Sequence, residues 1–195
     1  MKINTIRDNK INRYHICYNT KQIGFGVIKM AAFGSFSGVV TAISDFSMGA
    51  GAPSGCYRLM SVQSMDGNIV NFVILPTTYF VDHVMVNPGD RVTGFYNANA
   101  PAPLIYPPQY QAIVMARVAQ NQNVKVDFFN NQLVSSDGTL RLNIGPFTQI
   151  IQENGQAFTG SPANRNLAVV YGAATMSIPA QTVPYKIVVL CTFIQ

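Results

Sequence analysis

Residues 64–78 read SMDGNIVNFVILPTT and residues 135–148 read SSDGTLRLNIGPFT. Both open on Ser-x-Asp-Gly, continue through an apolar run and close on Pro-x-Thr, at an offset of 70 to 71 residues. An Asp-Gly pair between two such runs is a hairpin signal. A two-residue type I′ turn needs positive φ at both central positions, and Asn, Asp and Gly reach it at low cost. The pair predicts one hairpin joining 56–64 to 68–75 and another joining a shorter strand near Leu133 to 139–144.

Outward from these stretches the match continues. Tyr96 is followed by Tyr106-Pro107-Pro108-Gln109 and a strand at 112–115, while Tyr171 is followed by Ile178-Pro179-Ala180-Gln181 and a strand at 187–190. Several matched features in one order predict a tandem duplication, and missing a repeat mis-assigns a whole fold. From residue 36 onward, β-branched and aromatic residues stand between Gly, Pro, Asn and Asp punctuation, and long amphipathic helices are absent. The expected class is therefore all-β.

In its order of parts the first copy resembles an OB-fold. Residues 36–46 make a long first strand, with Gly38 where such barrels coil tightly, and the Asp66-Gly67 hairpin supplies strands two and three. Residues 78–86 take the place of the short helix, Asn87-Pro88-Gly89-Asp90 turns into 91–96, and 110–118 closes the barrel. The second copy matches less well, because its first two strands look curtailed. The resemblance implies two OB-like Greek-key β-barrels in tandem, the second abbreviated, at 31–119 and 120–195. A superfold of this kind does not by itself give a function.

Charge divides the chain sharply. Of 13 basic and 8 acidic residues, six bases and one acid fall in residues 1–30, so this stretch alone carries the net +5, and residues 31–195 hold seven of each. The first 30 residues are expected to be a basic leader, disordered or the product of a misplaced start, with the native chain beginning at Met30. The remainder replaces charge with amides, 13 Asn and 11 Gln. Such a neutral surface offers little long-range repulsion and favours self-association. Phosphate-backbone affinity comes largely from Lys and Arg, so nucleic acid is not an expected partner of 31–195.

OB-folds bind oligonucleotides or oligosaccharides across strands two and three and the loops after strands one and four. The resemblance assigns those loops to 47–55 and 97–109. The latter reads NANAPAPLIYPPQ, and its four prolines stiffen it toward extended geometry. Tyr96, Tyr106 and Tyr110 form a candidate stacking platform for bases or sugar rings, with Arg58 as a further candidate ligand contact. The structural alternative, that the loop packs over the barrel end, is favoured because the second copy keeps Pro-x-Gln but has Ile178 in place of the tyrosine.

Catalytic groups are sparse. His83 is the only histidine after the leader, and a lone His is more often packed or solvated than a general base. Asp66 and Asp137 are explained by their turns, and Cys56 and Cys191 read as small apolar core residues. Three cysteines without metal-ligand spacing indicate neither a disulfide framework nor a metal site. No cofactor motif, signal peptide or transmembrane segment is recognised, and the compartment stays open. The expected function is a non-enzymatic structural or self-assembling protein, a bacterial envelope or spore layer being the setting that composition suggests. The alternative is an OB-fold binding module for single-stranded nucleic acid or oligosaccharide.

Overall fold

The computed structural model describes residues 32–49, 53 and 55–191. The basic leader and the start at Met30 lie outside the described residues. The protein is all-β, in several sheets. Its first half contains β1 (Phe33–Asp45), β2 (Arg58–Gln63), β3 (Ile69–Ile74), β4 (Tyr79–Phe80), a single 3-10 turn at Val81–His83, β5 (Arg91–Asn97) and β6 (Gln109–Arg117). The second half contains β7 (Asn123–Phe129), β8 (Leu140–Leu142), β9 (Gln149–Gln152), β10 (Arg165–Tyr171), β11 (Ala180–Thr182) and β12 (Pro184–Val189).

The long first strand serves two neighbours. Phe33–Val39 pairs antiparallel with β5, Val39–Asp45 pairs antiparallel with β2, and the register shifts between Val40 and Ala42. Gly38 sits where the two partners meet, and a Cβ there would lie 2.2 Å from the Gln63 carbonyl oxygen. β2 pairs with β3, β3 runs parallel to β6, and β6 pairs with β5, so the pairings return to β1 as a ring of five strands. β4 lies parallel to β6 at the outer edge.

The hairpin turns differ from the type I′ expectation. Gly67 alone has positive φ, 83°, and its N–H donates to the Ser64 carbonyl at 3.1 Å. Gly138 repeats this with φ 70° and a 2.8 Å bond to Ser135. Each is a turn closed by one left-handed glycine, the geometry of a three-residue hairpin loop with a bulge. The place assigned to a short helix also changes, because Asp82 (φ 59°) and His83 (φ 51°) are left-handed and end the 3-10 turn at once.

Pairings of the first half recur in the second. β7–β10, β10–β12, β12–β9 and β11–β8 repeat the direction and sequence order of β1–β5, β5–β6, β6–β4 and β6–β3. The register breaks at Phe95/Tyr96 and again at Val170/Tyr171. Even a side-chain clasp recurs: Thr78 Oγ1 accepts from Leu75 N and donates to the Ala112 carbonyl, and Thr148 Oγ1 accepts from Gly145 N and donates to the Pro184 carbonyl. The second half nevertheless forms no continuous ring of ladders. It divides into a four-stranded sheet, β7-β10-β12-β9, and a two-stranded one, β11-β8, with the isolated bridges Phe129↔Ser135 and Val134↔Arg141 between them. β7 has 7 residues against 13 in β1 and so lacks the portion that would pair with a second strand.

A polar network holds that shortened region instead. Asp137 accepts hydrogen bonds from Lys125 Nζ at 2.5 Å, Ser135 Oγ at 2.6 Å and the Thr139 amide at 3.0 Å. Burial acts to raise the Asp137 pKa, but the bonds from Lys125, Ser135 and Thr139 outweigh it and hold the carboxyl far below the usual range. A depressed native pKa contributes stability that is present above the unfolded value, about 4, and lost as pH falls toward the native one. Urea unfolding at pH 5 and at pH 2.5 is expected to show a smaller drop in stability for Asp137→Asn than for the wild type. Equal drops would remove the network's role in acid stability.

Three apolar clusters account for the packing. One fills the five-strand ring around Phe72, Met115, Val40 and Val62, and one lies within the second half around Phe129, Leu167 and Ile187. The third joins Phe95, Ile113, Val114 and Ala116 of the first half to Val126, Ala168, Val170 and Val188 of the second. This explains why Ala112–Ala116, Leu167–Val170 and Ile187–Val189 are unbroken apolar runs, since strands covered on both faces do not alternate. The Lys186–Asp82 ion pair also links the halves.

Candidate functional site

Tyr96 stands opposite Gly34 in the β1–β5 ladder, and a Cβ on Gly34 would come within 2.5 Å of the Tyr96 ring. Glycine there makes room for the tyrosine to lie across the strand. Tyr110, on β6, stacks on it with ring centroids 4.0 Å apart and planes inclined by 11°, and Phe72 lies 6.3 Å from Tyr96. Both tyrosines pack against the cluster that fills the ring. Burial, and then the neighbouring Tyr110, push the Tyr96 hydroxyl pKa up. The two rings therefore use much of their apolar surface on each other and on the core.

They border a cavity of about 470 Å³, lined also by Phe46, Met48, Asn97, Pro101, Gln109 and Glu153. Among the described residues, neither Lys nor Arg lines it. The remaining two candidates lie elsewhere. Tyr106 is 84% exposed at the tip of the proline loop and does not line the cavity. Arg58 pairs with Asp45 at 3.1 Å on the surface, an arrangement worth about 0–1 kcal/mol, and borders a different groove. The sequence grouping of three tyrosines and one arginine thus resolves into one stacked pair and two separated residues.

The second groove, about 950 Å³, opens beside the segment that takes the place of an OB-fold's short helix. Its apolar lining comes from Ile43, Met60, Ile74, Phe80 and Val86, and its polar side from Arg58, His83 and Glu153. Tyr79 also lines it, packed edge-on against His83 at 5.4 Å. Tyr79 is only 4% exposed, and its buried hydroxyl lies beside the Asp82 backbone with no acceptor placed for its proton. Burial, and next the charge of Asp82, raise its pKa. Sequence patterning did not single out Tyr79 or Glu153, because each is one residue in an ordinary strand or turn and the groove is assembled from five separate segments. Glu153 borders both cavities and accepts the Cys191 N–H at 3.1 Å.

The cysteines depart from expectation. Cys56 is a free, exposed thiol in the connection before β2, and Cys191 is disulfide-bonded. Among the described residues no cluster of three or more His, Cys, Asp or Glu could hold a metal, and no helix is long and apolar enough to cross a membrane.

Both proline loops carry exposed apolar tips at positions 72 residues apart. Leu104 and Met176 are fully exposed, and Tyr106 and Ile178 nearly so. No family, curated protein or solved structure matches the chain. Function therefore rests on this geometry alone.

Proposed function

We propose that the chain is a non-enzymatic assembly protein built from two OB-like units in tandem, the second abbreviated, whose proline loops contact other copies or a neutral surface. The carrying observation is the pair of exposed apolar tips, Leu104 with Tyr106 and Met176 with Ile178, at equivalent places on the two halves. An exposed large apolar side chain is unremarkable singly, but clustered ones mark contact sites. The OB-like reading draws support from the ring of pairings β1–β2–β3–β6–β5 and from its partial recurrence, the tandem reading from the repeated clasps of Thr78 and Thr148. Ligand binding at the tyrosines has less support, since Tyr96 and Tyr110 stack on each other and Tyr106 does not line their cavity. Among the described residues no Lys or Arg lines that cavity, which further disfavours a phosphate polymer.

Light scattering over a concentration series tests this. The full chain is expected to gain mass with concentration, and combined Leu104→Ser, Tyr106→Ser, Met176→Ser and Ile178→Ser changes are expected to weaken association by about tenfold or more, 1.4 kcal/mol per decade. A wild-type chain that stays monomeric throughout would sink the proposal.

A further inference from the structure

We infer that Met176 is a peroxide-sensitive modification site, and that its conversion to the sulfoxide weakens the contact its loop makes. This rests on the assembly reading and adds how that contact is regulated. Access divides the described methionines: Met176 is 104% exposed, Met65 88% and Met85 79%, against 3% for Met60 and 0% for Met115. Peroxide oxidation follows access to the sulfur, so the core shields its own methionines and leaves Met176 open.

The loop is built to hold that exposure. Thr175 N donates to the Gln181 carbonyl at 2.9 Å, and Gln181 N donates back to Thr175 Oγ1 at 2.8 Å. Thr175 Oγ1 and Ser177 Oγ are 2.7 Å apart, and Ser177 Oγ donates to the Pro179 carbonyl at 2.8 Å. A hydroxyl has one proton, so Ser177 spends its own on Pro179 and accepts from Thr175. Both neighbours of Met176 are thus tied down while its side chain stands in solvent. In the first half the corresponding residues are Pro103, Leu104 and Ile105, so one tip carries a sulfur and the other does not.

The step balances with a hydroperoxide as oxidant. The thioether sulfur attacks one peroxide oxygen, an S–O bond forms as the O–O bond breaks, and hydrogen peroxide leaves as water. Sulfur gives up two electrons and the peroxide takes them. A flexible apolar side chain becomes a polar one, which disrupts a methionine contact. Leu104 is inert to this chemistry, so association falls without being abolished.

The test treats the full chain and Met176→Leu with dilute hydrogen peroxide, mapping sites by peptide mass spectrometry and association by light scattering. Oxygen is expected on Met176 before Met60 or Met115. The oxidised wild type is expected to associate about tenfold more weakly, oxidised Met176→Leu as strongly as untreated, and methionine sulfoxide reductase is expected to restore the wild type. Exposed Cys56, Met65 and Met85 meet peroxide in both chains, so the difference between them reports Met176. The urea midpoint of the wild type is expected to survive oxidation; a fall would assign the loss to unfolding and overturn the inference. Equal loss of association in both chains also overturns it, as does oxidation of Met60 as fast as Met176. If the untreated wild type associates and oxidation leaves it unchanged, the switch is wrong and the assembly reading stands; an untreated wild type that stays monomeric removes both.

Discussion

Phe72→Ala is expected to destabilise the protein by about 3–5 kcal/mol, the usual cost of emptying a fully buried aromatic site. Phe72 is 0% exposed at the centre of the five-strand ring, and its ring lies so close to Gly94 that a Cβ there would stand 2.5 Å from it. That close fit gives the neighbours little inducement to collapse into the space, which keeps the cost high. Because the third apolar cluster joins the two halves, the loss should appear as a lower midpoint of one transition and not as a separate early one. Urea unfolding followed by tyrosine fluorescence and by far-ultraviolet circular dichroism measures this. Non-coincident transitions would mean that the halves unfold independently.

Gly38→Ala carries the second large effect, about 3 kcal/mol, the upper part of the range for overpacking. The added methyl would meet the Gln63 carbonyl oxygen at 2.2 Å, the Gln63 carbonyl carbon at 2.5 Å and the Ser64 nitrogen at 2.9 Å. These are backbone atoms held by the β1–β2 and β2–β3 ladders, so relief requires parting strands and not turning a side chain. Ser35→Ala, at an exposed position on the same strand, is expected to stay within about 0.5 kcal/mol. Equal denaturation midpoints for the two variants would show that the strand crossing is looser than these distances imply.

Much of the fold is legible before any coordinates. β-Branched runs separated by Gly, Pro and Asp specify strands, and the observed β2, β3, β5 and β6 fall within one or two residues of the expected ranges. The repeated Pro-x-Thr is legible as a repeat, and its reason emerges only in three dimensions, where each threonine clasps a distant carbonyl. Turn type was less accessible: Asp-Gly specifies a reversal, but whether one or two residues take positive φ depends on the ladder beyond it. The second half illustrates the same limit. Its short β7 removes one partner from the pattern, and Asp137 with Lys125 takes over a task that ladders perform in the first half.

The candidate site was legible only in part. Tyr96 and Tyr110 do meet, yet their mutual stacking is set by the room at Gly34 across the sheet, which no local pattern announces. Tyr106 is only four residues from Tyr110 and still projects into solvent, because the prolines between them fix the direction of the loop tip. The Tyr79 groove had no sequence signal, being formed beside the inter-strand segment that carries two left-handed residues, Asp82 and His83.

The apolar cluster shared by the two halves has a kinetic and thermodynamic consequence. A cohesive face of this kind between separate chains would be populated according to protein concentration. Covalent linkage makes the encounter of β6 and β5 with β10 and β12 a first-order event at fixed effective concentration. The pairing of the halves is thus independent of dilution, and concentration acts only on contacts between separate chains.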